Sequence, residues 1–144
     1  MVDLPPRVCR GVRGATVADA DTPEDIHRVT RELLRALIAA NAIEEADVAS
    51  AIFTATPDLT SAYPATAARQ IGWQDTALLS AVEIAPPGSL PRCIRILIHW
   101  NTHLPQHEIR HIYLRGAEIL RPDRALNLTP APDNSDSPTG AKEK

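Results

Sequence analysis

The sequence predicts a mixed α/β (α+β) fold, one β-sheet packed with one long and two short helices. Three observations predict it. Runs rich in β-branched and aliphatic residues recur at Val8–Val17, Val48–Ala55 and Cys93–Ile98, each of strand length. Between the first two, Ile26, Val29, Leu33 and Leu37 repeat at helical spacing, which marks an amphipathic helix. The resulting order, βαβαββαβ, points to a single mixed sheet.

The first strand is expected over Val8 to Val17. Val8, Arg10 and Val12 alternate with Cys9, Gly11 and Arg13, so Arg10 and Arg13 point to opposite faces. Gly11 and Gly14 thin the strand beside Arg13, as where a ligand or another backbone comes close. Thr22-Pro23-Glu24-Asp25 supplies a helix start: a capping hydroxyl, proline at the first helical position, then acids against the dipole. That helix should run to about Asn41. A second strand spans Val48 to Ala55 and breaks at Thr56-Pro57-Asp58-Leu59. Tyr63-Pro64 opens a short helix ending at Gly72. A third strand covers Thr76 to Ile84, a turn Ala85-Pro86-Pro87-Gly88-Ser89, and a fourth strand Arg92 to Trp100. A second short helix is expected from Leu104-Pro105-Gln106 to about Leu114, placing Tyr113 on one face with Ile109. A last strand is expected at Ala117 to Leu120. Residues 1–128 read as one domain, and 129–144, rich in Pro, Ser, Asp and Asn, as a disordered tail.

The 144 residues suffice for one domain with a modest core. Aromatics are only 3%, so Leu, Ile, Val and Ala must build that core. The net charge of -3 argues against a nucleic-acid partner. Only two of the 15 basic residues are Lys, Lys142 and Lys144. Arginine is favoured where planar carboxylates or phosphates are gripped in a dry site. No apolar signal core and no stretch near the ~18 apolar residues of a membrane span appears. Cys9 and Cys93, both in predicted strands, read as buried free thiols. A cytoplasmic protein with no membrane partner is expected.

Arg95 stands out. It interrupts the apolar run Cys93-Ile94-Arg95-Ile96-Leu97-Ile98, and a guanidinium is costly to desolvate without an anion. Arg13, Arg69 and Arg121 also sit in or beside predicted elements, and Glu83 ends an apolar strand. Arg13 and Arg95 together suggest a pocket for a dianion. His107-Glu108-Ile109-Arg110-His111 fits the H-E-x-x-H pattern of zinc hydrolases, within histidines recurring every four residues from His99. Pro105 starts the predicted helix, so the four cannot form one stripe. Gly11-Val12-Arg13-Gly14 lacks the helix start that a phosphate loop needs. Ser61 and Ser80 have no recognisable His-Asp partners.

Eight segments, in order, carry a resemblance: Arg10-Gly-Val-Arg-Gly-Ala-Thr16, Ala55-Thr-Pro-Asp-Leu59, Tyr63-Pro-Ala65 with Arg69, Gly72-Trp-Gln74, Glu83, Cys93-Ile-Arg95, Arg110-His-Ile-Tyr-Leu114 and Leu120-Arg-Pro-Asp123. Over residues 8 to 124 the chain resembles the monofunctional AroH-type chorismate mutases. The resemblance implies a homotrimeric pseudo-barrel, sites between subunits, chorismate as substrate, prephenate as product, and no metal or other cofactor. It implies that Arg95 meets the breaking ether oxygen and the enolpyruvyl carboxylate. Arg13 and Tyr113 would grip that carboxylate, and Glu83 would accept the ring hydroxyl. Arg69 would face the ring carboxylate, and Arg121 would edge the pocket. Tyr63, Ala65, Leu78, Leu79 and Leu120 would line it. Thr66 stands where relatives can carry Lys, and Ser80 where a Cys can contribute a hydrogen bond. The rivals are a trimeric carboxylate-binding or deaminase protein of the same shape, and the zinc hydrolase.

Overall fold

In a computed structural model, residues 3–121 are described. The expected tail from 129 and the Arg121-Pro122-Asp123 terminus beyond Arg121 lie outside them. Five strands form one sheet: β1 (Val8–Val17), β2 (Val48–Ala55), β3 (Ala77–Val82), β4 (Cys93–Thr102) and β5 (Ile112–Tyr113). Their order is β3-β2-β4-β1-β5. β4 runs antiparallel to both β1 and β2, whereas β2–β3 and β1–β5 are parallel.

The long helix α1 (Pro23–Asn41) begins as its sequence requires. The Thr22 hydroxyl accepts from the Asp25 amide at 3.2 Å, and Glu24 and Asp25 occupy the first turn. Ile26, Val29, Leu33, Leu34 and Leu37 are fully buried. They cover one sheet face together with the short helix α2 (Thr66–Gln70). Val12, Phe53, Ile96 and Ile98 supply the sheet side of this core. Each such side chain stabilises the fold by about 1.5–3 kcal/mol. Gly14 lets the helix approach: a Cβ there would lie 2.8 Å from the Ile112 carbonyl oxygen and 3.0 Å from Leu33 and Leu37.

Two expected elements differ. The helix from Leu104 to Leu114 does not form; only a 3-10 turn over Gln106–Glu108 does. Tertiary partners take the backbone groups that a helix would have used. Asn41 donates to the Arg110 carbonyl and accepts from its amide, both at 2.9 Å. Ile109 and Ile112 enter the main core, while Tyr113 joins Ala15, Cys93 and Ala117. Tyr113 and Ile109 therefore share no helix face. The strand expected at Ala117 to Leu120 is likewise a 3-10 turn. Arg115 and Gly116, both at positive φ, reverse the chain just before it.

Arg13 and Arg95 lie on the other sheet face. No helix among the described residues is long and apolar enough to cross a membrane.

Candidate active site

Strand register builds the site. Directly paired residues project to the same side of a sheet, and side chains alternate along each strand. On β4, Ile94, Ile96 and Ile98 are buried against the helices, so Cys93, Arg95 and Leu97 face the other way. Arg95 pairs with Thr54 of β2 and with Ala15 of β1. Thr54 pairs in turn with Ala81, and Ala15 with Tyr113. One row thus crosses all five strands: Ala81, Thr54, Arg95, Ala15, Tyr113. The next row carries Leu79, Ile52, Leu97 and Arg13.

Glu83 lies just past β3. Its amide continues the ladder by donating to the Ala55 carbonyl at 2.9 Å. Alternation puts its side chain with Leu79 and Ala81, on the Arg95 side. Glu83 Oε1 accepts the Thr54 hydroxyl at 2.6 Å and stands 3.7 Å from Arg95 Nε. The latter is ion-pair distance, too long for a hydrogen bond. Arg95 Nε is accordingly buried without a hydrogen-bond partner among the described residues. Both side chains are 24% exposed, so their attraction is less screened than at an open surface. They line a cleft of about 270 Å³ with Arg13, Ile52, Thr54, Ile96 and Leu97.

The Arg13 guanidinium stands 5.8 Å from the centre of the Tyr113 ring, within cation–π range. The Tyr113 hydroxyl is buried and lacks a hydrogen-bond partner among the described residues. Buried polar atoms left this way are uncommon and call for an explanation. Among the buried atoms without a partner, Arg95 Nε and the Tyr113 hydroxyl belong to one row of the sheet. Of the two thiols expected to be buried, Cys93 is, but Cys9, near the open start of β1, is exposed. Burial pushes the Cys93 thiol up, against the opposing influence of Arg95. It stays protonated and serves as packing rather than as a nucleophile.

The remaining sequence candidates divide. Leu120 is half-buried and packs on the Tyr113 and Cys93 cluster, and half-buried Arg121 follows it. Leu79 lies on the open face and is 60% exposed. Leu78 packs on the main core, and Ser80 lies on its side of β3, so both face away from Arg95. Thr66 opens α2, with Ala65 packed beside the main core and Arg69 exposed. Tyr63 is 74% exposed before that helix. A single chain therefore brings together Arg13, Glu83, Arg95, Tyr113 and Leu120, but not the α2 group. Sequence reasoning missed Thr54. Its signal was a hydroxyl in the apolar run Ala51-Ile52-Phe53, readable only once β2 and β4 are in register.

The H-E-x-x-H residues do not share a helix. His107 lies in the 3-10 turn, and His111 follows outside any helix, its Nδ1 accepting the Arg13 amide at 3.0 Å. The zinc-protease geometry, which needs both rings on one helix face, is not formed.

The entry to β4 is held by a carboxylate. Asp58 accepts the Thr56 hydroxyl at 2.6 Å and the Arg92 amide at 3.0 Å. Arg92 is at φ 49, so this contact fixes an unfavourable backbone three residues before Arg95. The Thr56 hydroxyl holds the Asp58 carboxyl below its usual range, with burial opposing and the Arg92 amide assisting. A depressed folded value means stability that is present above the unfolded pKa of about 4 and lost as pH falls through the folded value. Thermal unfolding should therefore shift down between about pH 5 and pH 3, and Asp58→Asn should flatten part of that slope. An unchanged acid slope in the variant would count against this role.

The arrangement holds two guanidiniums, one carboxylate and a phenol in a partly dry cleft. It can bind a small dianion, orient it, and stabilise negative and positive charge at separate points. Residues 9–124 match the family of type I chorismate mutases. The chain is 57% identical over 115 residues to the chorismate mutase AroH of Thermus thermophilus, covering 79% of this chain and 94% of that protein. It is 41% identical over 118 residues to the AroH of Bacillus subtilis (strain 168), covering 81% and 93%. The solved chorismate mutase from Clostridium thermocellum superposes with a TM-score of 0.74 at 45% identity, covering 76% of this chain and 97% of that one. A family match across this span, relatives at this identity and a shared fold agree: the chain belongs to the type I chorismate mutase family.

Proposed function

We propose that the cleft around Arg95 and Glu83 is where this chorismate mutase rearranges chorismate to prephenate. The observation that carries the reading is the pair itself. A guanidinium and a carboxylate stand 3.7 Å apart, half-buried, with Arg95 Nε lacking a hydrogen-bond partner among the described residues. In the [3,3] rearrangement the ether C–O bond breaks while a C–C bond forms. Electrons move around one six-membered array and no proton is transferred. The protein's task is then to hold the compact diaxial substrate and stabilise the charge that separates as the C–O bond lengthens.

Arg95 meets the ether oxygen, which gains negative charge, and the enolpyruvyl carboxylate. Arg13 and the Tyr113 hydroxyl bind that carboxylate. Glu83 accepts the ring hydroxyl and favours positive character in the ring fragment. Arg69 faces the ring carboxylate, with Thr66 and Ser80 nearby and Arg121 at the edge. Tyr63, Ala65, Leu78, Leu79 and Leu120 form walls.

In one chain the α2 group is not brought to Arg95, and Leu78 and Ser80 face away from it, which supports a site completed by a second subunit of a homotrimer. Leu79, Val82 and Ile84, exposed by 60%, 74% and 82% at the β3 edge, supply apolar surface for such association. A cytoplasmic location fits an enzyme of aromatic amino acid synthesis.

The test is direct. Purified protein should consume chorismate and form prephenate, at the same rate with and without EDTA. Absence of prephenate would overturn the reading, and inhibition by EDTA reversed by zinc would overturn the metal-free mechanism.

A further inference from the structure

We infer that Thr54 is a positioning residue that holds Glu83 off Arg95, keeping both charges available to substrate. The inference rests on the functional reading above and adds a residue to it. Two opposite charges in a half-buried cleft attract strongly, and an unrestrained pair would close to direct hydrogen-bond contact near ~2.8 Å. Here the separation is 3.7 Å. The Thr54 hydroxyl donates to the same oxygen, Glu83 Oε1, at 2.6 Å. An ionised carboxylate only accepts, so the hydroxyl must be the donor.

The geometry makes Thr54 a firm anchor. It lies inside β2, paired on one side with Arg95 and on the other with Ala81. Its branched side chain has few rotamers. Glu83 is the opposite case. Its backbone is tied at the amide, but its longer side chain turns about several bonds and loses entropy when fixed. Thr54 takes one acceptor position of Oε1 and leaves the carboxylate's others to accept a substrate hydroxyl. Arg95 keeps its donors for the ether oxygen and carboxylate instead of spending them on Glu83.

Three variants test this with chorismate as the probe. Thr54→Val keeps the shape and loses the donor, Thr54→Ala guards against misfit of the extra methyl, and Thr54→Ser keeps the donor. Thr54→Val and Thr54→Ala should each lower kcat/KM about tenfold, as for loss of a hydrogen bond to a charged group, with kcat falling at least as much as KM rises. Thr54→Ser should stay within about twofold of wild type. Thermal midpoints measured alongside separate loss of fold from loss of position. Wild-type rates in Thr54→Val, or a Thr54→Ser variant as slow as Thr54→Val, would overturn the inference. If the wild-type protein turns over chorismate, that failure touches Thr54 alone; if it does not, the functional reading fails with it.

Discussion

Arg95→Ala is expected to lower kcat/KM by at least two orders of magnitude, about 3 kcal/mol or more in barrier, from the loss of one preorganised donor. The donor is placed before substrate arrives. β4 carries it on the face away from the helices, Ala15 beside it is small, and Glu83 stands 3.7 Å away. Its reorganisation on reaction is therefore small. Arg95→Lys should also be poor, because an ammonium cannot present two donors in the guanidinium's fixed plane. Steady-state rates with chorismate read both variants. Near-wild-type turnover in either removes Arg95 from the chemistry.

The second large effect is on stability. Gly14→Ala should destabilise the fold by about 1–3 kcal/mol, the usual penalty for overpacking. The new Cβ would sit 2.8 Å from the Ile112 carbonyl oxygen, which belongs to the β5 backbone and cannot rotate aside. The flanking Leu33 and Leu37 are fully buried and equally confined. Gly11→Ala is the internal control, since its Cβ meets only Leu97 at an ordinary 3.4 Å. Urea unfolding midpoints should separate the two. Equal midpoints would mean that the helix does not press on β1 as described. The close approach expected of the glycines is thus a carbonyl and a helix at Gly14, not a ligand.

The elements legible in the sequence were those whose pattern and ends agreed. α1 had both a helical apolar repeat and a capping threonine, and the first two strands had β-branched runs bounded by turn residues. The segment from Leu104 to Leu114 failed because its apolar spacing fits a helix while its fate is set by distant partners. Asn41, 69 residues away in sequence, captures both backbone groups of Arg110. No local signal encodes that. The same limit governed the site. Arg95, Arg13 and Glu83 announced themselves as charges among apolar residues. Thr54 did not, because a threonine in a strand is ordinary until the register sets it opposite Arg95.

The strand order also dictates when this chain can fold. β4 is the hinge of the sheet, pairing with β1 on one side and β2 on the other. Val8 finds its partner in Thr102, and Val17 in Cys93. During synthesis at about 5–20 residues per second, β1 waits unpaired for several seconds while nearly the whole domain is made. Such sequence-distant pairing slows closure of the sheet. The nascent chain is then most exposed to aggregation just before Thr102 emerges, and truncation within β4 should leave no folded fragment.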